Sequence, residues 1–475
     1  MTPAAEENKT DLQPLLRDFL NANFALLKIL AIHQPNNDAV KRPLSDYEKA
    51  LAQIRTLPQA EKGIEIKFDD GIMTVMGIKL KPHFSIIEAQ IHIPDSMEIA
   101  LIESLKITSS ASIQNVAEFY GAWAMHCSVL SKPKAIIKRV DGIQIKPLDL
   151  KKMEMRAKSR ELLMDPVYSL HHHYMLKVLL DKFFYGFAGH TVISQKAIRR
   201  ELIELSQVIR YAPYNVLALT FIRDTEGCSM GLGPPILQAV ATSLLSMLLA
   251  NEIGLSVTDQ VNLGMVGLLY NVGLLCEASA VVTKKEALTE DEYKAVVDAQ
   301  FSGVFKLIKA QGQSRPVLER LLAIFEHAQM KQGSSISLTL ESRLLRLASQ
   351  YIALTSPRPF RSAYLRDEAM KILGSQIASN KADRLDPILY YFLVSLLGLV
   401  PVGSLVELSN QKKAVVTRPR GEKTDALILK MVLDDPNDAI QTLDLSEQPQ
   451  VQILKTLDPD QEGIAISAYF FKRSA

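Results

Sequence analysis

Leu263-Gly-Met-Val-Gly-Leu-Leu-Tyr270-Asn271-Val-Gly273-Leu-Leu275 decides how the chain is read. Apolar residues take nearly every position, as in a helix buried on all sides. Two polar residues, Tyr270 and Asn271, interrupt the run just before Gly273. By periodicity alone this is a buried helix with two polar residues in an unexpected place.

Outward from this stretch, residues from about 155 to 400 carry an almost wholly helical pattern. The segment 196–210 is amphipathic, and 236–253 is apolar nearly all round, as a central core helix would be. Further helices are expected over 260–275, 289–311, 317–331, 338–354, 367–377 and 386–399. Thr289-Glu-Asp-Glu292 fits a capping box, which marks a helix start. The loop 223–235 is rich in Gly and Pro. Its Gly-x-Gly, within 227–233, opens no βαβ unit and reads as a bend rather than a dinucleotide loop.

On either side the period falls to 2. Toward the N-terminus, helices over 11–33 and 43–56 precede Gly63-Ile-Glu-Ile-Lys-Phe68, the turn Asp69-Asp70-Gly71 and alternating residues 72–80, a hairpin pattern. Ser112 can cap a helix to about residue 129 that carries Trp123, and short β-like pieces follow at 135–138 and 143–145. Beyond Pro401, residues 404–408, the turn Ser409-Asn410 and residues 414–416 read as a hairpin, with more strands at 426–432 and 450–453. The expected class is mainly α. An N-terminal small α/β domain spans 1–150, a helical domain 155–400, and a β-rich C-terminal extension 401–475.

With 475 residues, more than one domain is expected. The 48% of apolar residues suffices for a real core. A formal net charge of +2 gives no field that draws nucleic acid or acidic lipid, so no nucleic-acid partner is expected. Three dispersed cysteines, Cys127, Cys228 and Cys276, form no disulfide or zinc framework and fit a reduced, cytoplasmic setting. The apolar stretches 236–250 and 390–402 fall short of the ~20 residues that span a bilayer, so no membrane span is expected.

Several motifs in order, over residues ~215–445, resemble the HD-GYP family, whose members are usually metal-dependent phosphodiesterases that cleave cyclic di-GMP. Asn215-Val-Leu-Ala-Leu-Thr-Phe-Ile-Arg223 looks like the segment leading into the family's first core helix. Glu252-Ile-Gly-Leu-Ser256 and residues 263–273 look like the helix bearing its His-Asp pair, and Ala287-Leu-Thr-Glu-Asp-Glu292 like the start of the next. Thr355-Ser-Pro-Arg-Pro-Phe-Arg361 is close to the threonine-serine-x-arginine-proline-tyrosine signature. Glu368-Ala369, Pro401-Val-Gly-Ser-Leu-Val-Glu-Leu-Ser409 and Ala414-Val-Val416 follow in order. The resemblance covers about half the chain and implies an all-helical HD-type domain.

The family's metal ligands are replaced. Metal ions that generate a hydroxide need several anionic and imidazole donors. Gln238 stands at the first, usually histidine, position, and the His-Asp pair becomes Tyr270 and Asn271. The lysine after the glycine becomes Leu274. Ala299, four residues before Gly303, replaces a histidine, and the paired histidines fall near Glu326 and His327. Ser349 replaces the later aspartate. Gln332-Gly-Ser-Ser-Ile336 occupies the place of the glycine-tyrosine-proline triplet. Between Gln238 and Ser409 the only histidine is His327.

The remaining motifs carry less. Consecutive residues on a helix point about 100° apart, so His171-His172-His173 reads as a helix start rather than a metal site. The basic run 132–139 and Lys412-Lys413 read as solvated turns. Arg358 and Arg361 are the candidate phosphate or ligand-binding residues, since guanidinium forks suit phosphate. The alternative is that Arg358 caps helix ends and pairs with a carboxylate. The expectation is a non-catalytic regulatory module with no cofactor and no catalytic residues, binding a protein partner or a cyclic dinucleotide; a homodimer is compatible. The competing reading keeps phosphodiesterase activity through substituted ligands and divalent iron or manganese.

Overall fold

The structure is a computed structural model. It describes residues 12–69, 72–80, 84–129, 134, 136, 138–148, 160–188, 195–224, 233–277, 284, 286, 289–310, 314–330, 338–358, 361–379, 385–420, 423–432 and 440–471. Most of the Gly-rich loop, half of the basic run, residues 332–336, and Ala287 lie outside them. The chain divides into two compact units, Met1–Arg160 and Glu161–Ala475.

The first unit begins with α1 (Gln13–Leu30) and α2 (Asp38–Arg55). Helix α2 starts earlier than the proline at 43 suggested, because the Asn37 side chain accepts from the Ala39 amide and Pro43 sits inside the helix. Strands β1 (Ile64–Asp69), β2 (Ile72–Val75) and β3 (Ile78–Lys79), helix α3 (Ile87–Ile99), β4 (Ile102–Ile107), α4 (Ile113–Val129) and β5 (Ile143–Pro147) follow. The antiparallel sheet has the order β3-β2-β1-β4-β5, and β1 pairs with β2 as the alternation predicts. Strand β4 was not anticipated. It is buried on both faces, so its sequence does not alternate. Trp123, Tyr120 and Phe119 of α4 fill the core, and the Trp123 indole donates to the Ser96 carbonyl at 3.1 Å.

The second unit is mainly helical: α5 (Pro166–Ala188), α6 (Lys196–Tyr211), α7 (Pro213–Leu219), α8 (Gly233–Glu252), α9 (Val257–Leu269), α10 (Val272–Glu277), α11 (Glu290–Ala310), α12 (Arg315–Met330), α13 (Leu340–Thr355), α14 (Arg366–Ala378) and α15 (Pro387–Leu397). Its antiparallel sheet, of order β10-β6-β7-β8-β9, joins β6 (Leu405–Leu408), β7 (Lys413–Arg420), β8 (Lys423–Met431), β9 (Thr442–Asp444) and β10 (Ile453–Leu457), and the short α16 (Ala468–Phe471) follows. Helix α8 is long and apolar enough to cross a membrane, but its most apolar window is 78% buried and it packs on α9, α13, α7, α15 and α5. It is the core helix of this unit.

The helix expected over 260–275 is two helices. Ser256 caps α9 by accepting from the Asp259 amide at 3.2 Å, and the helix ends before Tyr270 and Asn271. At Gly267, a Cβ would lie 2.5 Å from the Ser243 Cα, so only glycine lets α9 lie this close to α8. After the break, α10 presses its backbone onto α11. A Cβ on Gly273 would fall 1.8 Å from the Ala299 carbonyl oxygen, and one on Gly303 would fall 2.5 Å from the Gly273 Cα.

The three histidines of α5 point three ways, as helical geometry requires. His171 is exposed, His172 contacts the Glu201 carboxylate at 2.6 Å, and His173 is buried. Burial first, and Lys177 second, push the His173 pKa down to about 4.

Two predictions follow from this packing. Gly273→Ala forces two helix backbones apart and should destabilise the unit by about 2 kcal/mol or more, read as a lower melting temperature. For His173, the unfolded chain takes up a proton below about pH 6.5, whereas the folded chain resists until about pH 4. Its contribution is therefore complete above pH 6.5 and fades as pH falls toward 4, by up to about 3 kcal/mol. Thermal melts across that window should show a shallower acid decline for His173→Leu.

Candidate functional site

Five elements set the site: α8 supplies Gln238, the α9–α10 break Tyr270 and Asn271, α11 Ala299, α12 Glu326 and His327, and α13 Ser349. The corner after α13 adds Arg358 and Arg361.

Gln238, Tyr270 and His327 come together. The Gln238 amide donates to the Tyr270 hydroxyl at 3.3 Å, and the rings of Tyr270 and His327 meet edge-on, centroids 5.3 Å apart at 85°. Tyr270 is 4% exposed, and burial pushes its phenol pKa up, so it stays protonated and neutral. The Asn271 carbonyl oxygen accepts from the buried Gln300 amide at 3.3 Å, and its side chain also reaches the Tyr270 hydroxyl.

The remaining positions hold local structure. Glu326 accepts from the Thr339 amide at 2.9 Å and the Thr339 hydroxyl at 2.6 Å. That hydroxyl in turn accepts from the Ser342 amide at 3.3 Å and caps α13. Glu326 thus orients an N-cap. Ser349 donates to the Arg346 carbonyl of its own helix at 3.0 Å. Ala299 has no donor side chain; its carbonyl faces Gly273.

The two arginines differ. Arg361 donates to the carbonyls of Leu354 at 3.3 Å, Ala353 at 2.9 Å and Ser362 at 2.6 Å, and lies 4.4 Å over the Tyr364 ring. It closes the C-terminus of α13. Sequence reasoning had assigned that capping alternative chiefly to Arg358. The backbones of Arg358 and Arg361 pair at 2.8 and 3.1 Å. Burial lowers the Arg358 pKa, while Tyr270 acts on it in the opposite sense, which sets its guanidinium near the phenol.

This donor set does not fit the metal ions that the family resemblance implies. The positions supply amides, one neutral phenol, one hydroxyl committed to a helix carbonyl, one carboxylate committed to an N-cap and a single imidazole. Among the described residues, no group of three or more His, Cys, Asp or Glu could hold a metal ion.

A cleft opens beside Gln238, between α8 and α13. It measures about 130 Å³, against the ~10–15 Å³ that one water needs. Its lining includes Phe221, Leu237, Gln238, Tyr351, Ile352 and Arg366. Sequence reasoning missed Tyr351 and Arg366. Arg366 follows the arginine-proline corner by five positions in a segment read only as a helix start.

With this geometry in place, the relatives can be compared. The chain is 24% identical over 185 residues to the cyclic di-GMP phosphodiesterase PdeB of Borreliella burgdorferi, a match covering 38% of the chain and 48% of the relative. It is 24% identical over 225 residues to a cyclic di-GMP phosphodiesterase of Pseudomonas aeruginosa, covering 46% and 51%. It is 29% identical over 143 residues to the 3'3'-cGAMP-specific phosphodiesterase 1 of Vibrio cholerae, covering 28% and 32%. These similarities support the HD-GYP resemblance, and the chain spans about half or less of the length of these curated relatives. No family model matches the chain. No solved structure matches it either.

Glu326→Ala should lower stability by about 1–3 kcal/mol, because the Thr339 amide and hydroxyl lose their acceptor. Glu326→Gln, which keeps an acceptor oxygen, should recover part of this. Both melts should be indifferent to a chelator; a chelator-dependent difference would give Glu326 a metal role instead.

Proposed function

We propose that this chain is a non-catalytic HD-GYP-like regulatory protein of bacterial signalling, acting as a partner-binding or cyclic-dinucleotide-sensing module. One observation carries the reading. Where the family resemblance puts its His-Asp pair, a neutral phenol packs edge-on against His327 and accepts a hydrogen bond from Gln238. Such a cluster fills space with a phenol and an imidazole packed edge-on, but offers no hydroxide-generating centre. A helical core can keep its shape by apolar packing after polar ligands are lost.

For a sensing role, Arg358 is the residue to carry ligand contact. It is half-buried near Tyr270, and among the described residues no side chain or carbonyl accepts from its guanidinium. Arg361 supports the same corner from behind, with its fork on helix carbonyls. Neither a nucleic-acid partner nor a cofactor enters this reading. The occupant is a cyclic dinucleotide or a protein, which includes a second copy of the chain.

The competing reading is a metal-dependent cyclic di-GMP phosphodiesterase with substituted ligands, centred on Glu326 and His327. The activities of the relatives favour it. Metal analysis and turnover assays separate the two. The expected outcome is iron and manganese well below stoichiometric content, with no hydrolysis of cyclic di-GMP. Stoichiometric metal together with turnover would overturn the non-catalytic reading. Calorimetry then divides sensing from scaffolding: a sensor binds the dinucleotide at micromolar strength, weakened roughly tenfold or more by Arg358→Ala. A scaffold shows no binding.

A further inference from the structure

We propose that the cleft between α8 and α13 is a binding site for a small organic anion, a phosphate or carboxylate carried on a flat or apolar body. Arg366 would hold the charged group, and Phe221, Leu237 and Ile352 the body. This goes beyond the function proposed above, which uses Arg358 and does not need the cleft.

Arg366 is placed against its own stability in several ways. It is the first residue of α14, where the helix dipole disfavours a cation. Burial pushes its pKa down to about 10, which still leaves it charged near neutral pH. Its neighbouring carboxylates are committed elsewhere. Asp367 accepts from Lys371 at 2.9 Å and from Thr456 at 3.0 Å, and Glu368 accepts from the Leu365 amide at 3.1 Å. Asp460 takes a two-oxygen contact from Arg223, at 2.7 and 2.5 Å. Among the described residues, no acceptor lies within hydrogen-bonding distance of the Arg366 guanidinium; its close partner is the Phe221 ring, 4.2 Å below.

A partly buried cation without an acceptor is costly, and here it lines an open cleft. Stacking on Phe221 holds the guanidinium plane while leaving its N–H edges for a ligand. A second observation points the same way. Tyr351 belongs to the same wall and is 1% exposed, and its hydroxyl has no hydrogen-bond partner. The Arg366 charge acts on that hydroxyl, so the two lie within electrostatic reach of each other. Buried polar groups are nearly always paired, and a hydroxyl and a guanidinium that both lack hydrogen-bond partners among the described residues, within electrostatic reach of each other, are the complement of an anion. The rest of the lining mixes apolar side chains, Phe221, Leu237 and Ile352, with a few polar ones, as small-molecule sites commonly do.

The test uses the full chain and three probes: inorganic phosphate, GMP and benzoate. Thermal melts and calorimetry should show binding of GMP, of benzoate or of both, and weaker binding of phosphate, which has no body to fill the cleft. Arg366→Met should abolish the binding, and Arg366→Lys should weaken it roughly tenfold by losing the fork. Without probe, Arg366→Met should melt at the same or a higher temperature than the parent chain, since an uncompensated cation is removed. Failure of all three probes to bind, or binding that persists in Arg366→Met, would overturn the proposal. Binding lost in Arg358→Met but kept in Arg366→Met would overturn it as well, while supporting the sensor reading; the converse pattern would establish the cleft and leave that reading to its own test.

Discussion

A buried phenol has few ways to be satisfied, and much of the helical unit is arranged around the one at Tyr270. Its ring occupies volume at the point where α9 stops, and its hydroxyl needs a partner because water is excluded. Gln238 on α8 supplies the partner, and the His327 ring on α12 closes the side. Three helices are thereby tied at one point. The break that brings Tyr270 there also releases α10 from the line of α9, and the new direction carries Gly273 onto the backbone of α11. A hydroxide-generating metal centre would need open coordination and converging anions. This cluster has the opposite character: a protonated phenol fills the position and bonds to an amide.

The same economy governs the carboxylate nearest the cluster. Glu326 is buried and accepts from both the amide and the hydroxyl of Thr339, which caps α13. A buried carboxylate must have such partners or lose its charge. Its commitment to the cap keeps α13 in register with α12. Helix α13 in turn presents Tyr351 and Ile352 to the cleft and ends at the Arg361 cap. The architecture that positions the cleft therefore runs through residues which, in the family resemblance, stand at ligand positions.

Much of this was legible in the sequence, and the parts that were not have definite causes. Periodicity marked most helices of the second unit to within a few residues, because their apolar stripes are regular, but gave no bounds for α5 or α7. It marked the β1–β2 hairpin through strict alternation. It missed β4, where burial on both faces removes the period, and α3, whose buried residues form no regular apolar stripe. It ran α9 and α10 together, because a helix break inside an apolar core leaves no polar signal except the two residues that were noticed. Position along the chain could place Tyr270, Asn271 and Gln238 in one family frame, but not show that the Asn271 carbonyl oxygen takes the Gln300 amide while the Tyr270 hydroxyl takes the Gln238 amide. Arg358 and Arg361 looked equivalent as guanidiniums. Only geometry separates a fork closed on helix carbonyls from one left without an acceptor.

Arg366 extends that last distinction. Within one turn-and-corner region, three arginines meet three environments: Arg361 on carbonyls, Arg358 near a phenol, Arg366 over a phenyl ring. A chain that needed these residues only for packing could use a lysine stem or a methionine at each, with less desolvation. For Arg361 the carbonyl contacts account for the guanidinium. For Arg366 nothing among the described residues does, and its place at a helix N-terminus adds to the penalty. Retaining a planar cation there makes physical sense if its edges face a ligand, and the cleft beside it has both the room and the apolar wall for one.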